Sequence, residues 1–500
     1  MFIKPRIHDF QLICYFTGKI IIGIGLLMLV PMATAALFGE WPVVFDFIIG
    51  LGLALTLGYL MSYIGETDHQ PTWIHGMVTA AFSWLVAMAV AAVPYVLSGH
   101  YLSFLDAMFD VMSGFTTTGM ILIQNLDHVS NGINMWRHLL TFVGGQGMIV
   151  MALTFLVKDA AGGYKLYVGE GKDERLLPSV FNTAKMIWKI SLIYFVIGSI
   201  ALGVAGVIIG LPTVNALLHG MWVYMAAWST GGFAPMSQNI LYYHSFLYEN
   251  ITLIIFVIGS FNFALHYAAW TGNRQEVFKN IETKSFAITV TILTLIGCYG
   301  LMKLKVYPEA VALFRKGFYQ IISGHTTTGF MTIYTRQFIR EWGEVALLAV
   351  TIAMLFGGSA CSTAGGFKGL RIGIIFRSLI QEMRRMLKPE SVVFVQRFHH
   401  IGDQILEDKQ VRSAALIVIM YVFIFALATM VGVLYGYPIL EAVFESASVT
   451  GNVGLSIGVT AAGMPDILKI TYIFNMWAGR LEFMAILAMI GFIIAAVKRK

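Results

Sequence analysis

Four short runs of threonine, serine, asparagine and glycine interrupt a strongly apolar sequence. The run at 113–120 is identical to the run at 323–330 at six of eight positions, and the runs at 228–233 and 450–455 fit the same frame. Glycine allows successive carbonyl groups to point the same way, and small side chains leave a passage open between neighbouring loops. Rings of carbonyl oxygens can replace the water shell of a dehydrated cation. These residues therefore favour cation coordination by backbone oxygens.

The composition excludes the main classes of water-soluble protein. The chain has 500 residues, of which 58% are hydrophobic and 12% are charged, and its mean hydropathy is +0.76. A soluble domain carries about 25% charged residues, so this chain cannot cover a globular surface with polar groups. A soluble enzyme, a disordered protein and a nucleic-acid binder are excluded, and a polytopic membrane protein is predicted. Because enzyme motifs are not found in a suitable context, neither enzyme activity nor a bound cofactor is expected.

Ten apolar runs are long enough to cross the hydrocarbon core of a bilayer as helices. An even number of crossings places both termini on one side of the membrane. Cytoplasmic loops are enriched in lysine and arginine, and 24 of the 33 basic residues fall on the side of the termini. Both termini are therefore predicted to be cytoplasmic, with 303–316 as a basic cluster on the opposite side. The ten runs are 8–37, 41–63, 72–97, 137–157, 183–210, 249–270, 284–302, 341–377, 411–435 and 468–497.

The apolar runs and the four Thr/Gly loops form a repeated order. Before each loop lies an apolar segment too short to cross the membrane, at 104–115, 213–229, 308–325 and 438–449. The order of long helix, short helix, loop and long helix thus occurs four times, and two crossings per unit give all four units the same orientation. Irregular backbone at membrane depth is tolerated only against protein or water, so the loops can meet around one axis. The anchoring glycines of the four loops are Gly119, Gly232, Gly329 and Gly454.

The predicted fold is an all-α polytopic membrane protein with four parallel pore repeats and two additional N-terminal transmembrane helices. Each repeat consists of a first helix M1, a short pore helix and a second helix M2. The predicted domains are the N-terminal helices at 1–70 and the pore repeats at 71–160, 161–275, 276–400 and 401–500.

Acidic side chains precede the first and the fourth loop. They are Asp106 and Asp110 in the first unit, and Glu441 and Glu445 in the fourth. These carboxylates can raise the local cation concentration at the mouth of a pore, or they can brace the short helices, and the sequence favours neither role. Because the second and third units have no acid at this place, a symmetric acidic ring is not expected.

A glycine-rich stretch interrupts the apolar run 341–377 in the third unit. Four of the ten residues in 357–366 are glycines, which are costly inside a helix. The helix is therefore predicted to break here, at membrane depth and below the third loop, where the stretch can form a mobile plug. The alternative is a small-residue packing face on the helix.

Arg480 lies inside the last apolar run. An ionisable residue within a membrane helix is a candidate functional residue, and an arginine that faces a cation pathway acts as an electrostatic barrier. The alternative is a structural pair with Glu482 or with a carbonyl group. The adjacent His399 and His400 fall in a charged cytoplasmic loop, where they are predicted to face solvent rather than to bind a metal.

The sequence resembles the Trk/Ktr/HKT superfamily of K⁺ transporters, and within it the bacterial TrkH/TrkG membrane subunits, over nearly the whole chain. The resemblance rests on Thr-Thr-Thr-Gly in units one and three, Ser-Thr-Gly-Gly-Phe in unit two and Thr-Gly-Asn-Val-Gly-Leu in unit four. It also rests on Gly-Gly-Ser-x-x-Ser-Thr-x-Gly-Gly at 357–366 and on Gly-Arg-Leu-Glu near the end. The departures are Cys361, where small residues are usual, and Asp110, where glutamate is common.

The resemblance implies a pseudo-fourfold arrangement of the repeats around a pore, usually in a homodimer. It also implies that the loops form a K⁺-binding selectivity filter, that the glycine-rich stretch is an intramembrane gate and that Arg480 is the barrier. The implied filter residues are Thr116, Thr117, Thr118, Gly119, Ser229, Thr230, Gly231, Gly232, Thr326, Thr327, Thr328, Gly329, Gly451, Asn452, Val453 and Gly454. The implied gate residues are Gly357, Gly358, Ser359, Gly365, Gly366 and Arg480.

The function implied by the resemblance is uptake of potassium across a bacterial inner membrane through a gated, selective pore, with K⁺ as the transported ion. The alternative is a K⁺ symporter coupled to Na⁺ or H⁺, and the sequence does not decide between the two. The expected partners are the lipid bilayer, a second copy of the chain and a cytoplasmic nucleotide-binding subunit similar to TrkA. The basic segments 158–189 and 368–412 are predicted to be the docking surface for that subunit.

Overall fold

The computed structural model describes residues 5–148, 150, 179–387 and 395–498. Residues 158–178 and 388–394 of the two predicted docking segments lie outside the described residues. The helices up to residue 270 are α1 (Ile7–Leu27), α2 (Leu29–Leu37), α3 (Trp41–Ile64), α4 (Trp73–Ala91), α5 (Val93–Leu97), α6 (Phe104–Phe115), α7 (Asn131–Gln146), α8 (Val180–Ile208), α9 (Thr213–Trp228), α10 (Phe246–Gly259) and α11 (Phe263–Trp270).

The remaining helices complete the third and fourth units, and a small two-stranded sheet lies between those units. The helices are α12 (Gln275–Lys279), α13 (Ile281–Lys303), α14 (Tyr319–His325), α15 (Gln337–Glu341), α16 (Gly343–Phe356), α17 (Gly369–Met386), α18 (Asp408–Leu434), α19 (Ile439–Thr450), α20 (Asp466–Arg480) and α21 (Met484–Val497). The strands are β1 (Arg397–His399) and β2 (Asp403–Ile405), which pair antiparallel.

The predicted helical membrane fold is confirmed. Six helical segments of the described chain are long and apolar enough to cross a membrane, and the number rises to eight if two bent helix pairs each count as one span. Only 28% of the most apolar stretch of α3 is buried inside the protein. Such a large exposed apolar surface is stable in hydrocarbon but not in water. The chain is therefore an integral membrane protein.

Two of the predicted crossings are bent pairs rather than straight helices. The run 249–270 divides into α10 and α11, which meet at 98°, and the run 468–497 divides into α20 and α21, which meet at 111°. At the second bend Glu482 and Phe483 adopt φ angles of 52° and 67°, which a right-handed helix cannot contain. Arg480 is consequently the last residue of α20 and not an interior residue of a spanning helix. Hydropathy did not reveal the bends because both halves of each pair are apolar.

The four short apolar segments form helices that end directly before the Thr/Gly loops, as predicted. These pore helices are α6, α9, α14 and α19. The third one begins irregularly, because a helical turn at Ala310–Ala312 and a π-helical turn at Leu313–Phe318 precede α14. In the four units M1 is α4, α8, α13 and α18, and M2 begins with α7, α10, α16 and α20.

One arginine of the basic cluster at 303–316 is neutralised by an acid of the second unit. Arg315 donates two hydrogen bonds to the carboxylate of Glu249, at 2.8 and 2.7 Å, in the bidentate geometry that suits a guanidinium. Lys316 lies over the ring of Tyr307, with its amine 5.6 Å from the ring centroid. The cluster therefore carries less net charge than the sequence indicates, and the Arg315–Glu249 pair joins the third unit to the second.

The N-terminal helices fix the start of M2 in the first unit. Glu40, between α2 and α3, accepts hydrogen bonds from the backbone amides of Asn131 and Gly132 at 2.8 and 2.9 Å. These amides belong to the first turn of α7, where backbone donors have no partner within the helix and a negative charge is favourable. The two extra helices thus position an element that reaches the centre of the molecule.

The hairpin β1–β2 corrects the prediction that His399 and His400 face solvent. The Nε2 atom of His399 lies 2.9 and 3.0 Å from the two carboxylate oxygens of Glu276, and its Nδ1 atom lies 2.8 Å from Asp403. His400 is buried beside Asn280, with 3.3 Å between Nδ1 and Oδ1. Both histidines attach the hairpin to the turn before α13, a tertiary contact that the local charged sequence did not indicate.

We expect the attachment of the hairpin to depend on pH. The hydrogen bond to Glu276, followed by that to Asp403, raises the pKa of His399. Since the folded-state pKa is raised, the stabilisation is complete below the ordinary histidine pKa of about 6.5 and is lost as pH rises through the raised value. Amide hydrogen exchange in 397–405, corrected for intrinsic rates, should be slower at about pH 6 than at about pH 8. His399→Gln should abolish this difference, and its persistence in that variant would contradict the assignment.

Candidate ion pathway

The four Thr/Gly loops adopt one backbone conformation. The residue two before each anchoring glycine has a left-handed φ angle, which is 56° at Thr117, 50° at Thr230, 55° at Thr327 and 55° at Asn452. The anchoring glycines have φ angles of 84°, 64°, 79° and 94° in chain order. Left-handed angles are uncommon for residues other than glycine. Their recurrence at four matching positions identifies one repeated structure.

The amide groups of the loops return to the ends of the pore helices. In the first loop the amide of Thr117 donates to the carbonyl of Gly114 at 2.9 Å, and the amide of Thr118 donates to that of Ser113 at 2.8 Å. The corresponding bonds recur in the other three loops. The N–H and C=O groups of one peptide unit point in opposite directions. The carbonyl groups of these peptide units therefore point away from the pore helices.

The loops form a closed ring in chain order. A β-carbon on any anchoring glycine would collide with the carbonyl oxygen of the residue that precedes the anchoring glycine of the next loop. The fourth loop returns to the first, so the four loops surround one axis. Because no side chain fits at these positions, only glycine is compatible with the ring. The pairs are Gly119 with Gly231, Gly232 with Thr328, Gly329 with Val453, and Gly454 with Thr118.

Two of the carboxylates that precede the loops act as braces. Asp110 is fully buried and accepts hydrogen bonds from the amide of Leu122 at 2.6 Å and from the hydroxyl of Tyr101 at 3.0 Å. Glu445 is also fully buried and accepts a hydrogen bond from the amide of Ile457 at 3.1 Å. Each carboxylate fastens the chain segment that leaves the loop to its own pore helix. Of the two roles that the sequence left open, these contacts favour bracing.

The other two carboxylates differ from each other. Asp106 forms an ion pair with Lys469 of the fourth unit, with 2.7 Å between Oδ1 and Nζ. This pair joins the first unit to the last, outside the ring of loops. Glu441 is half-buried at the start of α19. The four acids therefore do not form a symmetric ring, as the sequence indicated.

The glycine-rich loop at 357–366 is non-helical, as predicted, and links α16 to α17. Gly357 and Gly366 have φ angles of 70° and 72°, and a β-carbon on Gly357 would collide with the carbonyl oxygen of Gly365. The prediction of a broken helix is therefore correct, and the alternative of a packing face on a continuous helix is wrong. The loop folds back on itself so tightly that its two ends lie side by side.

The glycine-rich loop touches all four Thr/Gly loops at the equivalent left-handed residue. The hydroxyl of Thr327 accepts a hydrogen bond from the amide of Gly365 at 2.8 Å, and the hydroxyl of Thr230 lies 3.2 Å from that of Thr363. The hydroxyl of Thr117 donates to the carbonyl of Thr363 at 3.4 Å. A β-carbon on Gly365 would lie 2.9 Å from the β-carbon of Asn452. Contact with four symmetry-related residues places this loop across the axis.

Arg480 joins the fourth unit, the first unit and the glycine-rich loop. Its guanidinium donates hydrogen bonds to the carbonyl of Thr363 at 2.6 Å and to those of Gly144 and Gly145 at 2.8 and 3.2 Å. Glu482, the carboxylate that the sequence offered as a partner, forms an ion pair with an arginine of α17. Of the two structural partners that the sequence offered for Arg480, Glu482 or a carbonyl group, the structure shows carbonyl groups. Through these bonds Arg480 holds the glycine-rich loop against the last turn of α7.

Sequence reasoning missed two residues that fasten the glycine-rich loop. The hydroxyl of Thr363 lies 2.9 Å from the carbonyl oxygen of Gly259 and 3.1 Å from that of Trp228. Glu282, fully buried in the first turn of α13, accepts a hydrogen bond from the amide of Ala360 at 2.6 Å. A carboxylate at the edge of an apolar run was a usable signal for Glu282. No local signal existed for Thr363, because its partners come from another unit.

The M2 helices stop below the loops in the same register. They end 27, 27, 27 and 26 residues after the anchoring glycines of their units. The carbonyl-bearing ends of four helices are thus gathered beneath the ring. Helix C-termini carry partial negative charge, which favours a cation nearby. The last residues of these helices are Gln146, Gly259, Phe356 and Arg480.

The ring offers neutral oxygen ligands. Within the described residues, no cluster of three or more His, Cys, Asp or Glu side chains could hold a metal ion. The four loops themselves carry backbone carbonyl groups, threonine and serine hydroxyl groups and the side-chain amide of Asn452, all of which are neutral. Neutral oxygens suit a large cation that is easily dehydrated better than a strongly hydrated divalent cation.

Comparison with known proteins agrees with this arrangement. A family model described as TrkH, cation transport protein, matches residues 46–495. An uncharacterized cation transporter of Methanocaldococcus jannaschii is 30% identical over 96% of this chain and 95% of its own length. The Trk system potassium uptake protein TrkG of Escherichia coli is 27% identical over 94% of this chain and 96% of its own length.

Solved structures include one with the same fold. The crystal structure of the potassium transporter TrkH from Vibrio parahaemolyticus superposes with a TM-score of 0.80 and 25% sequence identity, covering 96% of this chain and 98% of the other. Since the family model spans most of the sequence, the chain belongs to the TrkH family of cation transport proteins.

Proposed function

We propose that this protein takes up K⁺ through a selective, gated pore, as the membrane subunit of a Trk system. The observation that carries the proposal is the closed ring of four loops with one backbone conformation. Relatives with the names of Trk system potassium uptake proteins support K⁺ as the ion. In this proposal the carbonyl oxygens of the ring replace the water shell of K⁺, and the neutral ring binds the ion weakly enough to release it.

The gate in this proposal is the glycine-rich loop together with Arg480. The loop contacts the same residue of all four Thr/Gly loops, so an ion leaving the ring meets it directly. The guanidinium of Arg480 adds a positive charge beside this loop. Opening then requires the loop to leave the axis and to exchange its hydrogen bonds for others, because hydrocarbon offers none.

Coupled transport of K⁺ with Na⁺ or H⁺ is the competing mechanism. It needs a site whose ion binding changes together with that of K⁺, and such sites commonly contain intramembrane carboxylates. Asp110 and Glu445 are buried but hydrogen-bonded to backbone amides, which favours a bracing role over ion coupling. Flux into liposomes with independently imposed K⁺, Na⁺ and H⁺ gradients separates the mechanisms. Uptake of K⁺ that follows only its own electrochemical gradient supports the pore.

The surroundings of the protein are part of the same proposal. Both termini are placed in the cytoplasm of a bacterial cell, with the chain in the inner membrane and paired as a homodimer. A TrkA-like nucleotide-binding subunit binds the cytoplasmic face and controls the gate. Helix α17, which follows the glycine-rich loop directly, carries exposed basic residues at its far end and is suited to transmit this control.

The glycine ring should determine selectivity. Gly329→Ser forces a side chain onto a residue with a φ angle of 79° and against the carbonyl of Val453. The collision displaces carbonyl oxygens that would replace the water shell of K⁺, so we expect the preference for K⁺ over Na⁺ to fall by about tenfold, or uptake to stop. The measurements are rescue of a K⁺-uptake-deficient strain and reversal potentials in liposomes.

A matched control separates local collision from backbone strain alone. Gly436 has a φ angle of 88°, but no atom lies within 4 Å of the place where its β-carbon would be. Gly436→Ser should retain wild-type selectivity. Unchanged selectivity in Gly329→Ser would show that the ring is not the filter.

Removal of the Arg480 side chain should open the gate. Arg480→Ala deletes the hydrogen bonds to Thr363, Gly144 and Gly145 and also removes a positive charge from the path. A lower Coulomb barrier of about 1–4 kcal/mol predicts K⁺ flux at least about fivefold higher per inserted molecule, with weaker control by the regulatory subunit. A deletion within 357–366 should act in the same direction.

The control variant for this experiment is Arg340→Ala, because Arg340 is exposed in α15. A purely structural role of Arg480 predicts misfolding and less protein in the membrane, so flux must be normalised to correctly inserted protein. Normal insertion of Arg480→Ala with flux at or below the wild-type level, still fully regulated, would refute the gate.

Charge reversal on the cytoplasmic face should weaken binding of the regulatory subunit. Arg384 and Arg385 are exposed at the end of α17 and lie in the predicted docking segment 368–412. We expect Arg384→Glu combined with Arg385→Glu to reduce capture of a purified TrkA-like subunit, because surface charges steer association. Reversal of Arg336 and Arg340 is the control. Undiminished capture after reversal throughout 158–189 and 368–412 would exclude this surface.

A further inference from the structure

Three of the four pore helices brace their loops at one shared position. The side chain nine residues before the anchoring glycine reaches the residue three positions after it. This brace prevents the segment that leaves the loop from moving away from the pore helix. The braces are Asp110 to the amide of Leu122 at 2.6 Å, Gln320 to the hydroxyl of Thr332 at 2.9 Å, and Glu445 to the amide of Ile457 at 3.1 Å.

The second unit cannot form this brace. Its residue nine before Gly232 is Val223, whose side chain has no hydrogen-bonding atom. Its residue three after Gly232 is Pro235, which has no backbone N–H to donate. Both partners of the brace are therefore missing in the same unit, although the backbone of this loop has the same conformation as the other three.

A buried arginine of the first unit holds the second loop from one side. Arg137, on α7, is 1% exposed, and its Nη1 atom donates to the carbonyl of Ala234 at 3.2 Å and to Oδ1 of Asn134 at 3.1 Å. Its guanidinium also lies over the ring of Phe233, 4.7 Å from the centroid. Phe233 and Ala234 are the two residues that directly follow Gly232. Arg137 thus binds the segment after Gly232, which in the other units is held by the brace.

Asn239 of the second unit holds the same loop and connects it to the third unit. Its Nδ2 atom donates to the carbonyl of Gly232 at 3.1 Å, and its Oδ1 atom accepts from the amide of Met331 at 3.1 Å. Met331 lies two residues after the anchoring Gly329. Asn239 itself has a φ angle of 56°, a conformation that asparagine tolerates better than most residues. One side chain therefore links the end of the second loop to the end of the third.

We infer that Arg137 and Asn239 are positioning residues that set the selectivity of the second loop by fastening it to its neighbours. The inference rests on the proposed role of the ring as a filter. The first, third and fourth loops are held by their own pore helices. The second is held by Arg137 of the first unit and by its own Asn239, which is in turn bonded to Met331 of the third unit. The oxygens of the second loop therefore keep their positions only while the first three units remain packed together.

The burial of Arg137 supports a positioning role over a role in stability. Of its guanidinium nitrogens, Nε and Nη2 are buried and have no hydrogen-bond partner among the described residues, and no carboxylate oxygen in this part of the chain lies within 4.0 Å of it. Burying a charged group whose nitrogens lack partners is costly, and an apolar side chain of similar size does not carry that cost. Arg137→Met should therefore fold while releasing the carbonyl of Ala234.

The test compares Arg137→Met and Asn239→Ala with wild type in liposomes that contain equal amounts of folded protein. Loss of a hydrogen bond changes an equilibrium by about fivefold for a neutral donor such as Asn239 and by about tenfold or more for a charged donor such as Arg137. We expect each variant to lower the permeability ratio of K⁺ to Na⁺ by up to about tenfold, with thermal stability in detergent close to that of wild type. Arg340→Met, at an exposed position of α15, is the control and should leave the ratio unchanged.

A rescue variant keeps the test decisive if an individual substitution impairs folding. In the rescue variant, Val223→Glu supplies a carboxylate acceptor and Pro235→Leu supplies a backbone N–H donor. The second unit then has the two groups that form the brace in the fourth unit. In the Arg137→Met background this pair should restore at least half of the lost selectivity. If Arg137→Met and Asn239→Ala keep wild-type selectivity while Gly232→Ser loses it, the ring is the filter and the inference is wrong. If Gly232→Ser also keeps wild-type selectivity, the filter assignment itself fails.

Discussion

Peptide groups at membrane depth must find hydrogen-bond partners within the protein, and four irregular loops satisfy this requirement in one way. Each loop returns its amides to the end of its own pore helix, so its carbonyl groups are left pointing elsewhere. This single arrangement explains the left-handed residues, the glycines that admit no β-carbon and the short pore helices that end directly before the loops. The same requirement extends to the glycine-rich loop, whose amides and carbonyls bond to threonine hydroxyls, a buried carboxylate and Arg480.

Arg480 is a half-buried charge that connects two elements of the proposed gate. A guanidinium in a poorly hydrated site needs several acceptors, and this one finds them in the last turn of α7 and in the glycine-rich loop. Carbonyl groups in the last turn of a helix have no partner within that helix, and Arg480 donates to two of them. The arginine therefore stabilises the end of one M2 helix while it holds the loop of another unit. Movement of either element leaves both with unpaired groups, so the two elements are expected to move together.

Much of the fold was predictable because its signals are local, whereas the missed features arise from contacts between distant segments. Eight of the ten runs that apolar length predicted are spans or bent pairs in the described residues, and the frame of the Thr/Gly runs predicted the pore helices. The density of glycine predicted the break at 357–366. Apolar length carries no information about direction, so the bends after Gly259 and Arg480 were missed. The burial of His400 and the contacts of Thr363 depend on chain segments more than a hundred residues away. The missing brace of the second unit can nevertheless be recognised in the sequence. When the four units are aligned on their anchoring glycines, Val223 and Pro235 occupy the two positions of the brace.

The four repeats are alike at the ring and differ below it, because chain segments on one axis exclude each other sterically. Four similar loops can surround an axis, but two chain segments cannot occupy the same place on that axis. The four M2 helices reach that level in almost the same register, so three of them must turn aside or end. The second does so with a bend of 98° and the fourth with a bend of 111°, while the third sends its glycine-rich loop across the axis. Glycine makes that crossing feasible, because the loop must fold back on itself between four neighbouring backbones. Fourfold similarity is thus suited to the ring of loops, and its loss is suited to the level below, where a single segment crosses the axis.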